Sequence, residues 1–167
     1  MNIIFANVFG FMALIMSVYM YQANNKSTLF LRQIIYTIFM LIEFILLNAY
    51  TALIVSLISF LRAIVFYYSD KENKKVSNYF ILLIIILFLV TLLFTYKNIF
   101  SLIPVFIGIS YTLSLQIKNV NQIKKICLLL SILWIIYYIV IKGYISIITR
   151  IIDIIAIFYS LKKDFKK

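Results

Sequence analysis

Residues 78–96 read NYFILLIIILFLVTLLFTY, and Phe80–Phe94 within them hold no charge, no Gly, no Pro and one hydroxyl, Thr91. At 1.5 Å per residue the stretch makes a helix roughly 28 Å long, close to the hydrocarbon thickness of a bilayer. No polar stripe marks a side of it that would prefer protein or water to lipid. It reads as a lipid-facing transmembrane helix.

The rest of the chain has the same character. Of its 167 residues 65% are hydrophobic and 13% charged, with mean hydropathy +1.10. A soluble domain is roughly 45–50% apolar and about 25% charged, so this chain cannot cover itself with a polar surface. The class is an all-α polytopic membrane protein, and long apolar segments without period-2 alternation exclude a β-barrel. The net charge is +11 and the pI near 9.7. In a soluble chain that balance would suggest nucleic acid. Here Lys and Arg sit in short loops and at the C-terminus, where they set topology and meet anionic headgroups, so the expected partner is membrane lipid and not nucleic acid.

The single cysteine, Cys127, lies in an apolar run, which leaves no intrachain disulfide and no thiolate cluster. There is no histidine, so imidazole catalysis, proton relay and histidine metal ligation are out, and no metal or cofactor is expected. The opening MNIIFANVFGFMALIMSVYMY lacks a positive n-region and a cleavage site and reads as a retained first helix.

Polar breaks cut the chain into seven apolar segments: 3–21, 28–47, 50–68, 78–96, 99–117, 124–141 and 144–161. The breaks at Asn48-Ala49, Lys97-Asn98 and Lys142-Gly143 are short enough to demand tight helical hairpins. With seven spans, twelve of the sixteen Lys and Arg fall on one side, Lys97 and Lys142 on the other, and Arg62 and Arg150 within spans. That bias places the N-terminus outside and the C-terminus in the cytoplasm of a multi-pass protein of the inner (cytoplasmic) membrane.

A shift of 94 residues superposes segments 1–3 on segments 5–7 without a gap. Gln22 then meets Gln116, Asn25 meets Asn119, Tyr50 meets Tyr144 and Asp70 meets Asp164. Two three-helix units can start on the same side only if one extra helix returns the chain. Segment 4 is that helix. The expected architecture is a 3+1+3 parallel repeat: residues 1–77 form the first bundle, 78–98 the linker helix, and 99–167 the second bundle with its basic tail.

Several stretches resemble the YgjV family of bacterial inner-membrane proteins: LIPVFIGISYTLSL (102–115), LWIIYYIVIKG (133–143), FILLNAY (44–50) and Ser59-x-x-Arg62. The resemblance runs in order from Gln22 to the basic tail. That family is distantly similar to the SWEET, PnuC and PQ-loop transporters, so the resemblance implies three-helix bundles around an axis along the membrane normal. The chain departs from the family pattern at three positions. Ser59 and Tyr138 stand where Asn is expected, and Arg150 stands where a Glu often sits.

Charged side chains inside a bilayer cost about 2.5–3.5 kcal/mol each on insertion scales, and four need an explanation. Arg150 and Asp153 are three apart and can pair along one helix face; Glu43 lies at a depth that also suits Arg150. Arg62 either faces inward or snorkels to the cytoplasmic headgroups. At the 94-residue offset Ser56 meets Arg150 and Ser59 meets Asp153, which puts polar groups at equivalent depth on both third helices. Trp134, Tyr137 and Tyr138 either stack on a flat ligand or fill the bundle core. Pro104, inside segment 5, is expected to break the helix ladder, either as a hinge or as a static kink filled by a neighbouring Ser or Thr.

Two functions fit this pattern. The first is a SWEET-like small-solute transporter or facilitator, with Ser59, Arg62, Trp134, Tyr137, Arg150 and Asp153 as substrate contacts. The second is a non-transporting assembly or envelope protein whose ions are closed salt bridges. No enzyme is expected, because the carboxylates have no nucleophile or histidine beside them. Oligomeric state stays open, a homo-oligomer included.

Overall fold

A computed structural model describes residues 2–46, 50–96, 99–140 and 144–164, with backbone only at 2–4, 50–51, 144–145 and 163–164. It is all-helical among these residues. The helices are α1 (Asn2–Tyr21), α2 (Lys26–Leu46), α3 (Tyr50–Lys71), α4 (Asn78–Thr95), α5 (Leu102–Ser114), α6 (Val120–Val140) and α7 (Tyr144–Asp164). Four stretches are long and apolar enough to cross a membrane: Lys26–Leu46, Ala52–Lys71, Asn78–Thr95 and Val120–Val140. Phe5–Tyr21 and Ile99–Ser114 are shorter apolar helices. α7 is as long as α2 but carries five charged residues. The three tight breaks fall largely on residues outside those described.

Local signals place the helix ends. Asn25 Oδ1 accepts the amide of Thr28 at 2.8 Å and caps α2; Asn119 Oδ1 accepts the amide of Asn121 at 2.9 Å and caps α6. The Ser77 hydroxyl accepts from the Tyr79 amide at the start of α4. α3 ends on Asn73, whose φ of 53° is one that Asn tolerates. The Asn73 amide reaches Asp70 O and the Lys74 amide reaches Ser69 O, the paired bonds of a Schellman close.

Pro104 does not break a ladder. A 3-10 turn (Ile99–Ser101) precedes α5, so Pro104 stands in the first turn, where backbone amides have no intrahelical acceptor to lose. The expected hinge has no disrupted helix to act through.

α1 packs along α2 and α2 along α3; α5 packs along α6 and α6 along α7. The two rows meet where α1 lies against α7 and α3 against α5. α4 lies outside this ring, against α3 and α5. It has a protein-facing side after all: Ile81, Ile84, Phe88 and Thr91 are buried, spaced as one helical face, while Leu93 and Phe94 are exposed. Hydropathy could not reveal this face, because lipid and a bundle interior are equally apolar. Shape does: Gly108 of α5 leaves a notch that the fully buried Phe88 ring fills, and a Cβ there would lie 2.8 Å from that ring.

At the end of the ring that carries the Lys26 and Lys118 loops, one apolar layer crosses the molecule. Met20, Phe30, Phe66, Ile81, Leu115, Ile123 and Ile157 belong to it. Lys26 Nζ donates to Leu115 O at 3.0 Å at that end, joining the two rows.

Candidate functional site

Above this layer the ring surrounds a partly open cavity of about 120 Å³. Its wall takes side chains from α1, α2, α3, α5, α6 and α7 and none from α4. It extends from Met20 and Tyr21 beside the apolar layer to Phe44, Ala52 and Pro104 near the far ends of α2, α3 and α5. A drug-sized site is about 300–1,000 Å³, so this one suits a solute of a few non-hydrogen atoms.

On α3, Ser56, Ser59 and Arg62 are spaced three apart and all line the cavity. Arg62 is only 2% exposed, so it does not snorkel to the headgroups. Its Nη1 donates to Gly108 O at 3.1 Å and to Thr112 Oγ1 at 2.7 Å, both across the α3–α5 junction. Its guanidinium carbon lies 4.8 Å from the Tyr111 ring centroid and 5.9 Å from that of Phe88. Aromatic faces and two neutral acceptors hold the cation inward. Its Nε has no partner.

The other row supplies Arg150. Its Nη1 pairs with Asp153 Oδ2 at 2.9 Å, its Nη2 donates to the Tyr36 hydroxyl at 2.7 Å, and its guanidinium carbon sits 5.6 Å from the Trp134 ring. Asp153 is fully buried behind the wall and also accepts the Ser17 hydroxyl at 2.5 Å, which ties α7 to α1. Glu43 takes no part in this pair. Its carboxylate lies against Gly10, 2.9 Å from where a Cβ would stand, and no salt bridge joins it to Arg150. Gly10 leaves room for the Glu43 carboxylate on α1, whereas the i,i+3 geometry puts Asp153 within reach of Arg150.

Of the residues singled out in the sequence, Ser59, Arg62, Trp134 and Arg150 line the cavity. Asp153 stands one layer behind, and Tyr137 lies off the wall, with Tyr138 stacked on Trp134 in its place at 5.4 Å. Pro104 also lines the cavity. The polar face of α2 was missed: Gln33, Tyr36 and Thr37 line the wall, and the Tyr111 hydroxyl donates to Gln33 Oε1 at 3.2 Å. The spacing Gln33, Tyr36, Thr37, Glu43 was visible in the sequence as one helical stripe. Ser17 and Thr112 carried no such signal. Among the described residues no cluster of His, Cys, Asp and Glu could hold a metal ion.

No curated protein and no solved structure matches the chain. Helices long and apolar enough to cross a bilayer are what an integral membrane protein requires. The model of Imp-YgjV, a bacterial inner membrane protein family, matches residues 4–167, and the chain belongs to that family.

Proposed function

We propose that this protein is a small-solute transporter or facilitator of the SWEET-like type, with its site between two three-helix bundles. In this reading all seven helices span the membrane, the N-terminus is outside, the C-terminus is cytoplasmic, and α4 is the linker. Helix packing supports the repeat. A 94-residue shift carries α1 onto α5 and α3 onto α7, so the α1–α7 and α3–α5 junctions become one interface seen twice. The same shift pairs Asn25 with Asn119, and both are helix caps.

The observation that carries the function is the cavity wall. A purely structural polar group inside a membrane is satisfied by protein, as Asp153 is by Arg150 and Ser17. Among the described residues, Ser56 and Ser59 line the cavity without a hydrogen-bond partner and Arg62 lines it without a carboxylate. Such a wall serves a solute better than it serves packing. Catalysis is no part of the proposal. The partners are lipid, the solute and, at most, further copies of the chain.

The closed Arg150–Asp153 pair favours the second reading, a non-transporting assembly or envelope protein. Thiol accessibility separates the two. In a Cys127→Ser background, a hydrophilic thiol reagent should label Ser59→Cys in membranes and leave Ile123→Cys, in the apolar layer, untouched. If Ser59→Cys reacts in neither membrane orientation, the second reading stands.

A further inference from the structure

Four of the chain's five acidic side chains are described, and none of the four pairs with Arg62. Asp153 is taken by Arg150, Glu72 by Lys74, and Asp70 accepts the Ser27 hydroxyl at 2.6 Å. Glu43 lies against Gly10, and the Asp164 side chain is outside those described. Arg62 is therefore a buried cation facing a cavity whose wall, among the described residues, holds no carboxylate. Arg150 shares the wall but is neutralised by Asp153, which leaves the lining with one net positive charge.

A buried charge without a counter-ion carries a desolvation cost that aromatic faces and neutral acceptors offset only in part. Beside Arg62 on the same stripe, the Ser59 and Ser56 hydroxyls face the cavity with no hydrogen-bond acceptor among the described residues. The Thr37 and Ser131 hydroxyls of the wall instead donate to carbonyls of their own helices. One cation, two uncommitted hydroxyl donors and a volume of about 120 Å³ together describe a receptor for one kind of ligand.

We infer that the cavity binds a small monovalent anion, a halide or a short carboxylate such as formate, paired to Arg62 and hydrogen-bonded by Ser59 and Ser56. This deepens the transporter reading and rests on it for transport, though not for binding. The anion supplies the charge that Arg62 lacks, while the positive wall repels cations.

The only tryptophan, Trp134, lines the same cavity and reports on it directly. In purified full-length protein, iodide should quench Trp134 fluorescence saturably, chloride or formate should compete, and caesium should quench little. Neutral acrylamide gives the reference accessibility. Arg62→Gln should weaken iodide binding by about tenfold or more, as loss of a charged partner does. Arg62→Lys should retain most of the binding, which separates charge from packing. Linear iodide quenching without competition, or equal quenching by caesium, overturns the proposal in the wild type without any variant. So does wild-type affinity in a folded Arg62→Gln protein. Formate and chloride flux into proteoliposomes is read separately. Saturable binding without flux keeps the anion site and removes the transporter reading; flux of an uncharged solute without anion binding does the reverse.

Discussion

The Asp153 carboxylate holds three helices at once: it pairs with Arg150 on its own helix, accepts Ser17 of α1, and through Arg150 reaches Tyr36 of α2. Ser17, Arg150 and Asp153 are nearly or wholly out of solvent, so none of the three can turn to water if the junction is broken. Asp153→Asn should therefore destabilise the protein by about 3–5 kcal/mol, because Arg150 is left as an uncompensated buried cation. The double variant Arg150→Met with Asp153→Leu should lose less than Asp153→Asn alone, since it removes both charges together. Midpoints of detergent-solubilised protein in thermal or denaturant unfolding measure both. If the single variant is the milder one, the pair is not what holds this junction. The i,i+3 spacing made the pair legible in the sequence, whereas one serine in the apolar run of α1 gave no hint of a partner on α7.

At the level of elements, α4 and α5 show how two uniformly apolar helices find each other. Burial of an apolar face gives no preference for protein over lipid, so close fit must supply it. The fit is Phe88 in the notch of Gly108. The ring is fully buried and also lies 5.9 Å from Arg62, so it has little freedom to withdraw. Gly108→Ala should cost about 1–3 kcal/mol by overpacking, and Phe88→Leu should recover part of that loss. Leu93→Ala, at a position 81% exposed in the chain, should change stability little. Additive losses in the Gly108–Phe88 pair would contradict this contact. Residues 78–96 thus have less freedom than their composition suggests. The proposed linker role rests on parity and charge in the sequence, whereas the buried face was not legible there, because Ile, Leu and Phe occupy both sides of α4. Segment 5 begins at Ile99 as read, but Pro104 inside an apolar run looks like a kink, and only the 3-10 turn before α5 shows that it stands in the helix's first turn.

Across the whole molecule, the cavity and the apolar layer divide the ring into an accessible part and a sealed part. All seven helices or their immediate ends contribute to the layer, from Met20 of α1 to Ile157 of α7, and Lys26 joins the rows beside it. Spaced polar residues such as Asn25 and Asn119 made both helix caps legible in the sequence and carry the proposed repeat. The sequence could not show the layer, whose members are the commonest residues in the chain. In the proposed orientation this sealed end faces the cytoplasm, and the proposal has solute enter this state from the outside. Ser59→Cys, in a Cys127→Ser background, should therefore react with a membrane-impermeant thiol reagent added to spheroplasts and resist the same reagent added to inverted vesicles. Phe30 is 1% exposed in the middle of the layer. Replacing it by Ser leaves a void and a hydroxyl where seven helices meet, which should admit water from the loop side. Phe30→Ser should then make the Ser59→Cys site reactive in inverted vesicles as well, by tenfold or more in rate by an order-of-magnitude estimate from about 1.4 kcal/mol of lost closure. Equal reactivity from both faces before that change would mean that the layer is no seal. Reactivity from the cytoplasmic face alone would reverse the orientation.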